Sequence, residues 1–217
     1  MTKPSHAVLG GDEIVTAEDG TQRVTSAKII VAGGFGVGKT TFVGAISEIT
    51  PLRTEEVITA PSAAVDDTDH VPDKTTTTVA MDFGRITVDA TLILYLFGTP
   101  GQNRFWFMWD ELFRGAIGTV VLADTRRLAD CFGAIDFADS RGMPYLVALN
   151  PFDRAPTYDL DEVRQALRIP GQVPLLTCDA RDRHQVRETL IDLVKHVLDR
   201  RRPALEFPPP AMKRGEP

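Results

Sequence analysis

Cysteine is nearly absent from this chain: Cys131 and Cys178 are the only two in 217 residues, and neither sits in a C-x-x-C or zinc-type spacing. A disulfide framework and a thiolate metal centre are therefore excluded as organising devices. Long apolar runs are missing too. The longest, Leu92 to Phe97, is six residues, against about 20 needed to cross a bilayer as a helix. The N-terminus carries no apolar signal segment and the C-terminus no prenylation cysteine. The expectation is a cytoplasmic chain with no integral membrane segment, reaching a membrane only through partners. Positive charge is not in excess either. The 24 Lys and Arg against 30 Asp and Glu leave a net charge of −6, the wrong sign for a protein whose main partner is a phosphate backbone. No nucleic-acid partner is expected.

What remains is an ordinary globular composition, 43% hydrophobic and 25% charged, long enough for one domain with its own core. Residues 1–26 show no sustained period and are expected as an N-terminal arm, residues 27–202 as the domain, and residues 203–217, with Pro203 and Pro208-Pro209-Pro210, as a Pro-rich disordered tail. Within the domain, short apolar runs alternate with helical patterns. Lys28 to Ala32, Gly118 to Ala123, Tyr145 to Leu149 and Val173 to Thr177 read as buried strands. Val79, Met81 and Phe83 alternate with Ala80, Asp82 and Gly84 before the run Thr91 to Phe97, which predicts an antiparallel hairpin around Asp89-Ala90. Helical spacings follow each parallel strand, such as Leu160/Val163/Leu167 and Val186/Leu190/Leu193/Val197. Strands alternating with helices mean crossovers, so the fold class is α/β: three layers around a mostly parallel sheet of about six strands.

Gly33-Gly34-Phe35-Gly36-Val37-Gly38-Lys39-Thr40 fits G-x-x-x-x-G-K-[ST], and it lies directly between a strand and a helix. This is a P-loop of the NTPase type. Its glycines let successive backbone N–H groups converge on one point at a helix N-terminus, where the next residue, Thr41, also lies. Lys39 is placed to reach β- and γ-phosphates, and the Thr40 hydroxyl to bind Mg2+.

Four further elements sit at strand ends, where ligands bind in open α/β sheets. They are Thr75-Thr76-Thr77-Thr78, Gly98-Thr99-Pro100-Gly101-Gln102, Asn150-Pro151-Phe152-Asp153 and Cys178-Asp179-Ala180-Arg181. In this order the chain resembles the Ras-like small GTPases over about residues 28 to 200. Thr78-Val79-Ala80-Met81-Asp82-Phe83 is similar to the Rab-type segment, and Thr99-Pro100-Gly101-Gln102 to the bacterial MglA-like group. Gly36-Val37-Gly38-Lys39-Thr40-Thr41-Phe42 with Leu96-Phe97-Gly98-Thr99-Pro100-Gly101-Gln102 looks most like the small GTPases of actinobacterial conservon operons.

The resemblance implies a GTP-binding signalling switch that hydrolyses GTP to GDP slowly with Mg2+. Thr78, with Thr77 as the fallback, is then the switch threonine on the metal and γ-phosphate. Gln102 orients the attacking water, and Lys39 serves catalysis as well as binding. Asn150 and Asp153 match the guanine-reading Asn-Lys-x-Asp element, Asp153 accepting from the guanine N1–H and 2-amino group, donors that adenine lacks. The Ala180 N–H faces guanine O6, flanked by Asp179 and Arg181. Roadblock-domain and sensor-kinase-like proteins are the partners the resemblance implies. Three positions depart from the pattern. Gly98 stands where the family usually has a metal-holding aspartate, Phe35 where finger-activated enzymes have glycine, and Pro151 where the motif has lysine. Arg53 and Arg104 are candidates for an arginine supplied in cis, beside a surface-loop reading of each.

The segment from Thr50 to Thr77, with Pro51, Pro61, Pro72 and the Asp66-Asp67-Thr68-Asp69 cluster, reads as a long first-switch loop. Phe105-Trp106-Phe107-Met108-Trp109 sweeps too far round a helix to face one core, so some of Trp106, Phe107 and Met108 are expected outward, as a protein-docking surface. Two rivals remain. One is a non-hydrolysing scaffold that recruits partners through that aromatic surface, favoured by Gly98, Phe35 and Pro151. The other is an ATP-dependent phosphotransferase, which leaves Gln102 and Asn150/Asp153 unexplained.

Overall fold

The computed structural model describes residues 13–15, 24–50, 52–59, 76–101 and 107–201. One sheet runs through all of them. Its strands are β1 (Glu13–Val15), β2 (Val24–Ala32), β3 (Leu52–Thr59), β4 (Thr76–Thr87), β5 (Leu92–Gly98), β6 (Ala116–Ala123), β7 (Tyr145–Leu149) and β8 (Leu175–Thr177). The helices are α1 (Lys39–Ile46), α2 (Trp109–Phe113), α3 (Phe132–Ser140), α4 (Leu160–Leu167) and α5 (Arg183–Arg201). The order across the sheet is β3-β4-β5-β2-β6-β7-β8, with β1 added antiparallel beside β2. The four pairs joining β5, β2, β6, β7 and β8 are parallel. The β3–β4 and β4–β5 pairs are antiparallel.

Alternation along the central strands sorts the core into two halves. Ile29 and Val31 of β2, Val120 and Leu122 of β6, and Leu146 and Ala148 of β7 face α1 and α5. Their neighbours Ile30, Ala32, Val121, Ala123, Tyr145 and Val147 face α2, α3 and α4. Strands covered on both faces carry apolar residues without a break, which is why β6 and β7 read as continuous runs. The predicted hairpin is present: Asp89 Oδ1 accepts from the Thr91 N–H at 2.7 Å, and the Val88 N–H donates to Leu92 O at 2.9 Å.

Two expectations are corrected. The stretch after α1 is not one open loop, since Leu52–Thr59 forms an edge strand in full register with β4, Leu52 opposite Phe83 and Thr59 opposite Thr76. Its charges, Arg53, Glu55 and Glu56, hide the alternation that marks a strand, and charge is what an exposed sheet edge commonly carries. The threonine run does not simply precede its strand either. Thr76, Thr77 and Thr78 lie within β4, opposite Thr59, Ile58 and Val57, because β-branched residues favour the pleated backbone once a partner strand is there. The Arg53 and Thr78 side chains, Gln102, Arg104, Phe105, Trp106, the Asp66 to Asp69 cluster and the Pro-rich tail lie outside the described residues. At the far end of the aromatic run, Trp109, Leu112 and Phe113 are buried while Phe107 is exposed. Both cysteines are free and buried, and burial pushes the Cys131 thiol up to about 12.

Candidate nucleotide site

Every loop of interest leaves the carboxyl edge of the parallel strands. β2 ends at Ala32, and the chain turns through Gly33 to Gly38 into α1. The turn needs glycine at both ends. Gly38 has φ of 106°, and a Cβ there would come within 2.5 Å of Asn150 Nδ2. Gly33 has φ of 138°, and its Cβ would strike the Leu122 carbonyl oxygen. Side chains rarely adopt such φ values.

Lys39, only 8% exposed, lies back across this loop. Its Nζ donates to Gly33 O at 2.9 Å and Gly34 O at 2.7 Å, which holds the ammonium under the loop amides. Burial lowers its pKa to about 8, with Asp82 partly opposing the shift. Below about 8 the ammonium is charged and attracts an anion; above it the charge is lost. Affinity for a nucleoside diphosphate is therefore expected to fall about tenfold between pH 7 and pH 9, one pKa unit past the midpoint. Titrations of wild type and Lys39→Arg across that range check it. The arginine variant, whatever its starting affinity, should lack the Lys39 component of the slope.

In front of Lys39 opens a cavity of about 390 Å³ lined by Phe35, Gly36, Thr40, Thr41, Asp82 and the Thr99–Gly101 loop. Gly101 lies against the P-loop so closely that a Cβ on it would come 2.6 Å from Lys39 Nζ. The Thr40 hydroxyl donates to Asp82 Oδ2 at 2.6 Å. Asp82 is directly opposite Gly98 across the β4–β5 pair, and a Cβ on Gly98 would stand 3.0 Å from the Asp82 Cβ. A carboxylate is thus present beside Thr40, entering from the neighbouring strand, while the side chain missing at Gly98 leaves it room. Thr99, 3% exposed, has a buried hydroxyl with no hydrogen-bond partner among the described residues. These hard oxygen donors suit a divalent cation that keeps waters and shares phosphate oxygens.

A second cavity, about 320 Å³, adjoins the first across Gly36, Gly38 and Thr41, and Asn150, Phe152, Asp153 and Arg181 lie along it. Asn150 is buried at 6% exposure. Its Nδ2 donates to Val37 O at 2.9 Å and its Oδ1 accepts from the Ala180 N–H at 3.0 Å. One side chain thereby ties the P-loop to the β8–α5 loop. Asp153 is 89% exposed, 3.9 Å from Arg181 Nη1. Asp179 binds Arg181 through both carboxylate oxygens, at 2.9 and 2.8 Å, and that pairing holds the Asp179 carboxyl below its usual range.

Sequence reasoning placed Lys39, Thr40, Asn150, Asp153, Ala180 and Arg181, and the structure brings them to one edge. It did not single out Asp82, Thr99 or Arg126, nor Arg127, whose Nη2 donates to Phe35 O at 2.8 Å and braces the P-loop from outside. Nothing local marks Asp82, because its place beside Thr40 comes from strand pairing and a contact 42 positions along the chain.

A family model described as conserved hypothetical ATP binding protein matches residues 31–200. An uncharacterised protein of Methanocaldococcus jannaschii is 29% identical over 129 residues, 58% of this chain and 70% of that one. Among solved structures, the FeoB G-domain from Methanococcus jannaschii matches with a TM-score of 0.54 at 17% identity, over 80% of this chain and 99% of that one. The cytosolic domain of the T. maritima FeoB iron transporter in a GDP form matches with a TM-score of 0.55 at 17% identity, over 80% of this chain and 64% of that one. The fold is the P-loop G-domain fold, and no helix among the described residues is long and apolar enough to cross a membrane.

Proposed function

The chain belongs to the family described as conserved hypothetical ATP binding proteins, and from its own loop geometry and ordered motifs we propose that it is a Mg2+-dependent guanine-nucleotide switch with slow GTP hydrolysis. Lys39 and the P-loop amides take the phosphates. Thr40 and Asp82 hold the metal, with Thr78 joining in the triphosphate state, and Gln102 orients water. The metal neutralises charge on the phosphate oxygens when bound. Asn150 keeps the P-loop and the Ala180 loop in register, and Asp153 reads the base. The conservon-type resemblance, carried by the ordered motifs, narrows this to a signalling role in which partners read the nucleotide state. Phe35 and Phe107, both more than half exposed, are apolar surface for such partners to cover.

The observation that carries the reading is the position of Asn150 between Val37 O and the Ala180 N–H, with Asp153 on the same cavity. A carboxylate there accepts from guanine N1–H and the 2-amino group. Adenine offers neither donor on that edge. The family description favours a second reading, ATP, and Pro151 agrees with it, because the lysine of the guanine element is missing. A fluorescent GDP titration in Mg2+, competed in turn by GDP, GTP and ATP, separates the two. Displacement by GDP and GTP at concentrations where ATP has no effect is expected. Equal displacement by ATP would give the second reading, and a folded protein that binds no nucleotide would leave the scaffold.

A further inference from the structure

Pro151 removes the long cationic stem that an Asn-Lys-x-Asp element would put beside the base, yet the same cavity has a cation on its wall. Arg126, just past the end of β6, lines it together with Asn150, Phe152 and Asp153. The side chain is firmly held. Asp124, whose side chain is 3% exposed, accepts from the Arg126 backbone N–H at 2.9 Å, from Nε at 3.0 and 3.2 Å, and from Nη2 at 2.7 Å. The guanidinium lies over the Phe152 ring, with Cζ 4.1 Å from the ring centroid. A buried carboxylate committed to one arginine fixes the guanidinium plane against the aromatic ring, and with Nε and one Nη2 hydrogen turned to Asp124, the Nη1 hydrogens and the second Nη2 hydrogen face away from that carboxylate. Arg126 itself remains 44% exposed, so this rigid plate faces an open cavity and not the core.

We propose that Arg126 is a base-contacting residue: its guanidinium, held by Asp124 and backed by Phe152, packs against the purine of the bound nucleotide and takes the place of the lysine that Pro151 lacks. A planar cation on a purine gains both stacking and cation–π attraction, which a lysine stem on the same position would supply only in part. The inference rests on the nucleotide reading above, because it needs a base in this cavity.

Arg126→Ala would leave Asp124 buried and unpaired, so the test includes the neutral pair Asp124→Asn/Arg126→Gln, which keeps a hydrogen-bonding partner for position 124. Affinities for GDP and for inorganic tripolyphosphate, a probe with the phosphates and no base, are measured by calorimetry on wild type and both variants. The expected result is a loss of about tenfold for GDP in both variants, with tripolyphosphate bound as in wild type. Unchanged GDP affinity overturns the proposal, and so does an equal loss for GDP and tripolyphosphate, which would make Arg126 a brace for the loops. A wild-type protein that binds tripolyphosphate but not GDP overturns it as well. If folded wild type binds neither probe, the nucleotide reading itself fails. If wild type binds GDP and the variants match it, only the role of Arg126 fails.

Discussion

Lys39→Ala is expected to remain folded and to lose nucleotide. Two charge-assisted hydrogen bonds to phosphate oxygens amount to about 3 kcal/mol, roughly a hundredfold in affinity. Burial lowers the Lys39 pKa to about 8, below its ordinary value, so keeping the ammonium charged at pH 7 costs folding free energy. The unfolded chain binds the extra proton between about pH 8 and pH 10.5, and wild-type stability therefore rises with pH across that window. Alanine removes the buried charge together with that slope. Against it stand the Gly33 and Gly34 carbonyls, which lose their partner; water entering the adjoining open cavity can replace it. Melting curves with and without saturating GDP·Mg2+ separate the effects. Wild type should melt higher with ligand, as binding to the native state alone requires, and at the same ligand concentration the variant should show only a small fraction of that rise. A ligand-induced shift of wild-type size in Lys39→Ala would remove Lys39 from the phosphate site.

The sheet was legible where apolar residues alternate or run without interruption, because burial on one or both faces leaves that mark directly. β2, β5, β6 and β7 fall where the runs lie. β3 was not legible. An edge strand makes ladder bonds on one side only, and Arg53, Glu55 and Glu56 are compatible with an edge while erasing its period. The P-loop could be read outright, since Gly33, Gly36 and Gly38 answer to positive backbone φ within a single short loop. Other parts of the site depend on pairings that no local window contains. Asn150 meets Val37 from 113 positions away, and Asp82 meets Thr40 from 42 positions away. The resemblance pointed to Asn150 as a reader of the base; the bonds its amide makes are to two loops. Gly98 looked like a loss because the expected carboxylate was sought at the same position along the chain. Strand pairing puts one directly across the ladder instead.

That substitution across the ladder has a sharp consequence. If Asp82 supplies the metal carboxylate, Asp82→Asn should weaken Mg2+ binding to the GDP complex by about 10- to 100-fold, the usual range for lost groups that orient or hold a metal. GDP affinity in excess EDTA should change little, because the phosphate-binding amides and Lys39 are untouched. The reading also predicts a rescue. Asp82 and Gly98 are opposite one another, and a Cβ at 98 would stand 3.0 Å from the Cβ at 82, so Gly98→Asp alone crowds two carboxylates into one place and should destabilise the hairpin. In the double variant Asp82→Gly/Gly98→Asp the crowding is gone and a single carboxylate returns from the neighbouring strand. Mg2+ dependence of GDP affinity should recover in the double variant beyond that of Asp82→Gly alone. Thermal melts of wild type, Asp82→Gly, Gly98→Asp and the double variant report the crowding, and GDP titrations at graded Mg2+ report the metal. Were Asp82→Asn to keep wild-type Mg2+ dependence, the Thr40–Asp82 hydrogen bond would be only a brace between α1 and β4, and the metal would draw on Thr40 and phosphate oxygens with no carboxylate from β4.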